Sequence, residues 1–163
     1  MSLVPMSSLP SEARTWCYGA SVQPTEAALR LVGKELAAFL EIWTAHGADL
    51  RAGFDWLHDR FLVIAVDESV SGASGCSIDA LTSQLRRLEE ESGVELLDAA
   101  PVWYRGPAGD VRHVSREEFG RLAAEGSVCG TTPVFDLTVQ NLGAVRTGSW
   151  EVEAGRSWHA RLL

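Results

Sequence analysis

Cys76 stands in the string Ser74-Gly75-Cys76-Ser77-Ile78-Asp79, between an apolar run that ends in two acids and an amphipathic stretch. A thiol just outside a helix N-terminus meets the partial positive charge of unpaired N–H groups, which favours the thiolate. With a histidine as base and loop N–H groups as oxyanion donors, such a sulfur could act as a nucleophile. His46 is the candidate base, because the end of a first helix and a loop at a strand's carboxyl end can lie close together. The same loop offers hydroxyls, backbone donors and carboxylates to a ligand through Asp67, Ser74, Gly75, Ser77 and Asp79. Trp158, in a tail expected to dock back on the domain or on a second subunit, joins them as an aromatic contact.

Several chemistries lack their residues. Cys76 has no second cysteine at C-x-x-C spacing, and Thr82 stands where a thiol phosphatase loop would place its arginine. The loop Ser69–Gly75 has no Gly-Lys-Ser/Thr ending, so no lysine can reach a phosphate as in a P-loop ATPase. Asp67, Glu68 and Asp79 could converge on a cation, yet nothing has calcium-loop spacing, and Asp79 is also a favourable first-turn acid. The histidines His46, His58, His113 and His159 include no i, i+4 pair. No metal and no cofactor is expected.

The chain has 163 residues with 22 acids against 14 cations, a net charge of −8. Lys34 is its one lysine, so Schiff-base chemistry has a single candidate. Without a cationic cluster a nucleic-acid partner is not expected. The longest aliphatic run, Phe61–Val66, is too short to span a bilayer, and three cysteines without paired spacing suit a reducing cytoplasm.

Residues 1–13 are polar and Pro/Ser-rich and are expected to be a flexible leader. Trp16–Val22 reads as a strand. Thr25 caps a helix whose apolar stripe runs Leu29, Val32, Leu36, Phe39, Leu40 and Trp43, with Gly47 as its stop. Asp49–Asp59 and Phe61–Val66 read as strands, the second a central one. Ser77 is the expected cap of a second helix with stripe Ile78, Leu81, Leu85 and Leu88, closed by Gly93. Val94–Leu97 and Val102–Arg105 read as strands. The order β-α-β-β-α-β predicts an α+β, ferredoxin-like antiparallel sheet with both helices on one face, over residues 14–106.

Residues 107–163 are expected to form a C-terminal helix-plus-strands appendage. It holds a strand at Val111–Val114, a helix at Arg116–Glu125 started by the Ser115-x-x-Glu118 box, a strand at Thr131–Leu142, a turn at Gly143–Gly148 and a strand at Ser149–Val152.

Trp43-Thr44-Ala45-His46-Gly47, Asp59-Arg60-Phe61-Leu62, Ser74–Asp79 and the Ser157-Trp158 tail together resemble a family of short bacterial proteins of unknown function. Some of its members carry the label "ABC transporter ATPase". The chain has neither a Walker A loop nor a Leu-Ser-Gly-Gly-Gln signature, so the resemblance implies a site location and no activity. The leading expectation is a small cytoplasmic domain that binds a small molecule or a protein at the Ser74–Asp79 loop, with a homodimer formed through an exposed sheet face or edge. A thiol-dependent enzyme built on Cys76 and His46 is one alternative, and a structural accessory subunit of a larger complex is another.

Overall fold

The computed structural model describes residues 2–98 and 101–163. Its first half is a three-stranded antiparallel sheet under two helices. Strand β1 (Arg14–Gly19) leads to helix α1 (Glu26–Glu41), where the Thr25 hydroxyl accepts the Ala28 N–H at 3.1 Å. The helix ends at Glu41, earlier than Gly47. The next residues turn back as a hairpin of β2 (Thr44–Ala45) and β3 (Ala48–Asp49), and His46 and Gly47 take φ of 53° and 78° at its tip. A type I′ two-residue turn needs two such positive φ values, so Gly47 serves this turn rather than a helix stop.

Strands β4 (Arg51–Leu57) and β5 (Phe61–Asp67) complete the sheet in the order β1-β5-β4. The apolar run makes β5 the central strand, buried on both faces from Phe61 to Val66. Leu62, Ile64 and Val66 meet Leu36 and Leu40 of α1 and Leu81, Leu85 and Leu88 of α2 (Gly75–Ser92). Each such fully buried leucine contributes about 1.5–3 kcal/mol of transfer free energy. Gly93 closes α2 in the left-handed region at φ 74°.

The expected fourth strand at Val94–Leu97 is not a strand. Glu89 reaches forward from α2, and its Oε2 accepts the N–H of Leu96 at 2.7 Å and of Leu97 at 3.0 Å. Those donors are thereby taken from any ladder. Val102–Arg105 is a strand, β6, but it belongs to a second antiparallel sheet. With β7 (Val111–Val114), helix α3 (Arg116–Ala124), β8 (Pro133–Phe135), helix α4 (Leu142–Arg146) and β9 (Glu151–Glu153), that sheet has the order β7-β6-β8-β9. The strand expected to close the first sheet thus lies in the second.

Strand β8 stops well short of Leu142, because Asp136 turns the chain by accepting the Thr138 N–H at 2.9 Å. Where a turn is expected after Leu142, Asn141 caps α4 by accepting the Ala144 N–H at 2.9 Å. Ser115 caps α3 as expected, its hydroxyl accepting the Glu118 N–H at 3.1 Å, but the Glu118 carboxylate pairs with Arg121 instead of closing the box.

The sheets meet at an aromatic cluster. The Phe61 ring lies 5.1 Å from Trp103, 4.7 Å from Phe135 and 5.0 Å from Trp150. Gly19 gives Trp103 room, since a Cβ there would overlap the indole.

Residues 2–13 are not a free leader. Val4 N–H donates to Ala52 O and Ala52 N–H to Ser2 O, both at 2.8 Å, along the outer edge of β4. Leu9 and Ala13 are buried against Ala65 and Leu142, and Arg146 donates to Met6 O and Leu9 O at 2.8 and 2.7 Å. An edge with unmet backbone groups and a leader carrying Leu3, Val4 and Leu9 solve each other's problem. Among the described residues, no helix is long and apolar enough to cross a membrane.

A Cβ at Gly53 would stand 2.7 Å from Val4 O, whereas one at Gly33 in α1 would meet nothing within 4 Å. Gly53→Ala is therefore expected to destabilise the fold by about 1–3 kcal/mol, and Gly33→Ala to stabilise it by about 0.5–1 kcal/mol, in urea denaturation.

Candidate functional site

The Ser74–Asp79 loop is occupied with its own capping. Ser74, rather than Ser77, is the N-cap of α2: its Oγ accepts the Ser77 N–H at 3.2 Å. Ser77 Oγ accepts the Ser74 N–H at 2.7 Å and donates to Ser74 O at 2.8 Å, so both hydroxyls are engaged. The Trp43 indole donates to Ser77 O at 2.9 Å, tying the base of the β2–β3 hairpin to this turn.

Asp67 pairs with Arg51 at 3.0 Å and accepts the Ser69 N–H at 3.0 Å; the Ser69 hydrogen bonds, with Arg51 behind them, hold its carboxyl below the ordinary range. Glu68 accepts the Ala73 N–H at 2.9 Å. Gly75, Cys76 and Asp79 are exposed, as is His46 at the hairpin tip. Cys76 and His46 share no hydrogen bond, and neither borders the clefts beside Asp67 and β1.

Asp67 borders a cleft of about 570 Å³ with Arg51, Glu68 and Ser69, and a second, more apolar concavity lies along the outer edge of β1. Ala20 N–H bonds Arg60 O at 2.7 Å, so by antiparallel alternation Tyr18 and Trp16 face β5 while Thr15, Cys17, Gly19 and Ser21 point outward. The ends of this outer edge are taken: Thr15 N–H donates to Gln140 O at 3.0 Å, and Ser21 N–H to Glu95 O at 3.2 Å. Between them, the N–H and C=O groups of Cys17 and Gly19 have no partner among the described residues. A cleft of about 530 Å³ opens here, within the usual range for ligand pockets. Cys17, Gly19, Trp103, Arg116, Trp158 and Arg161 are among its walls.

Of the site residues expected from the sequence, Trp158 alone borders this cleft, so that tail docks on its own domain. Its ring carries the Arg116 guanidinium at 4.9 Å and stacks on His159 at 3.8 Å between centroids. Its indole N–H is buried with no acceptor among the described residues.

The arginines are the clearest electrostatic feature. Eight of them lie against a carboxylate. Arg60 and Arg146 donate to backbone carbonyls, and Arg86 is exposed on α2. Arg116 and Arg161, both in the cleft, have neither a carboxylate within 4.0 Å nor any hydrogen-bond acceptor among the described residues. Asp98 also lines the cleft, so its two uncommitted guanidinium groups outnumber one carboxylate and, in a chain with 22 acids, favour an anionic visitor.

Sequence reasoning missed Cys17, Gly19, Arg116 and Arg161. Arg116 adjoins the capping Ser115 and Arg161 shares the Trp158 tail, but nothing local announces that the two converge. The chain matches no protein-family model, no curated protein and no solved structure.

Two groups near the cleft give measurable consequences. Cys17 is buried, and burial, with Asp136 adding to it, pushes its thiol up to about 12; the Thr131 and Thr132 hydroxyls pull the exposed Cys129 below its ordinary value. Iodoacetamide at pH 8 is expected to modify Cys129 at least about tenfold faster than Cys17, read by mass spectrometry of the native protein.

His159 is fully buried, with Nδ1 2.6 Å from Ser157 Oγ and Nε2 unpartnered. Burial lowers its pKa from 6.5 to about 4, with Asp136 opposing and Arg116 assisting. The unfolded chain therefore takes up a proton that the folded one refuses. Stability is full above about pH 6.5 and falls toward pH 4 by up to about 1.4 kcal/mol per pH unit. His159→Phe is expected to flatten that dependence in urea titrations at pH 7 and pH 5.

Proposed function

We propose that this chain is a binding module whose site is the cleft beside β1, and that its ligand joins an apolar body to a carboxylate or comparable anion. The observation that carries this reading is the pair Arg116 and Arg161, uncommitted among the described residues, facing the same apolar cleft as Trp103 and Trp158. Apolar walls with a few convergent polar groups are what small-ligand sites have in common.

The ferredoxin-like arrangement helps explain why a cleft lies here. In that arrangement the fourth strand lies beside the first, and β1, β5 and β4 already occupy the other three places in the right order. Glu89 holds Leu96 and Leu97 out of the ladder, so the fourth place is open. The alternative site at the Ser74–Asp79 loop has less support, since each serine hydroxyl there is taken by the other serine's backbone and Cys76 does not border the β1 cleft.

Anilinonaphthalene sulfonate, an apolar body with a sulfonate, serves as the probe. It is expected to gain fluorescence on binding the full chain, and Arg116→Glu with Arg161→Glu is expected to weaken that binding about tenfold while near-UV circular dichroism stays unchanged. Equal affinity for the folded double variant would remove the reading.

A further inference from the structure

Resting on the cleft reading, we infer that the occupant is an extended, acidic peptide segment that adds to β1 as the sheet's fourth strand. The outer edge of β1 already accepts main chain at both ends, from Gln140 at Thr15 and from Glu95 at Ser21. The gap between these contacts presents the N–H and C=O groups of Cys17 and Gly19 in strand geometry, and Cys17 is itself buried. Buried backbone donors and acceptors take partners in nearly every native structure. A peptide strand supplies both kinds of partner at the repeat the edge requires, which a compact small molecule does not.

Side-chain chemistry narrows the sequence of that segment. Residues of an added strand alternate between faces, and the wall beside this edge is aromatic, with Trp103 and Phe135. The occupant therefore carries apolar residues at alternate positions. The Arg116 and Arg161 guanidinium groups ask for a carboxylate, from an Asp or Glu side chain or from the peptide's own C-terminus. The open stretch covers the positions opposite Cys17–Gly19, about 10 Å of strand, so recognition reads a short motif of roughly three to five residues.

A displayed library of random heptapeptides panned on the full chain tests this. The enriched sequences are expected to alternate apolar residues and to carry Asp, Glu or a required free C-terminus; amidated and free-acid synthetic versions separate the two carboxylate sources. The best synthetic peptide is expected to slow amide hydrogen exchange at Cys17 and Gly19 at least tenfold, to compete with anilinonaphthalene sulfonate, and to lose at least tenfold in affinity when its alternate backbone nitrogens are methylated. Arg116→Glu with Arg161→Glu is expected to remove binding.

The inference is overturned by a library that yields no enriched binder, by a bound peptide that leaves the Cys17 and Gly19 amides unprotected, or by methylated peptides that bind equally well. Those amides being protected without peptide in a sedimenting dimer would also overturn it, assigning the edge to a second copy. If the dye still binds in an arginine-dependent way, the cleft reading outlives a failed peptide; if the dye fails as well, both fall.

Discussion

Phe61 is the point at which two sheets become one molecule. It opens the central strand β5, and its ring is enclosed by Trp103 of β6, Phe135 of β8 and Trp150 before β9. Aromatic pairs at such separations contribute beyond their buried area, by about 0.5–1.5 kcal/mol each. Their geometry has a further effect. Because Trp103 must lie against the bare backbone of Gly19, β6 is held beside β1 without pairing to it. The space along β1 is a product of that aromatic contact.

Around this junction the layers divide the burial of β5 between them. Helices α1 and α2 cover Leu62, Ile64 and Val66, while Phe61 and Ala65 are covered from the other side by the second sheet and by the N-terminal segment with α4. A strand covered on both faces reads as a continuous apolar run, and Phe61–Val66 does so.

What the sequence disclosed was local. The stripes of α1 and α2, the capping residues Thr25 and Ser115, the Gly93 terminus and the central strand all announce themselves within a few residues. What it hid depended on distant partners. Val102–Arg105 is legible as a strand, but nothing in its four residues says which sheet it joins. Val94–Leu97 looks equally strand-like, and Glu89 diverts it with one side chain. His46-Gly47 could end a helix or turn a hairpin, and Trp43 settling onto Ser77 O goes with the hairpin. The candidate site follows the same division. That a helix begins beside Cys76 is readable, although its cap is Ser74 and the thiol lies within the first turn rather than outside it, whereas the concavity formed by β1, Arg116 and Trp158 exists only after the chain has folded over itself.

The clasp on the N-terminal segment sets an order of events. Arg146, which holds the Met6 and Leu9 carbonyls, emerges 140 residues after Met6. Ser2 and Val4 likewise wait for Ala52. Such long separations place these contacts late, since the loops they close must be ordered first. Until Arg146 has emerged, the segment over the outer side of β4 lacks its clasp, and a nascent chain stalled before that point would offer a sticky ladder to its neighbours on the polysome.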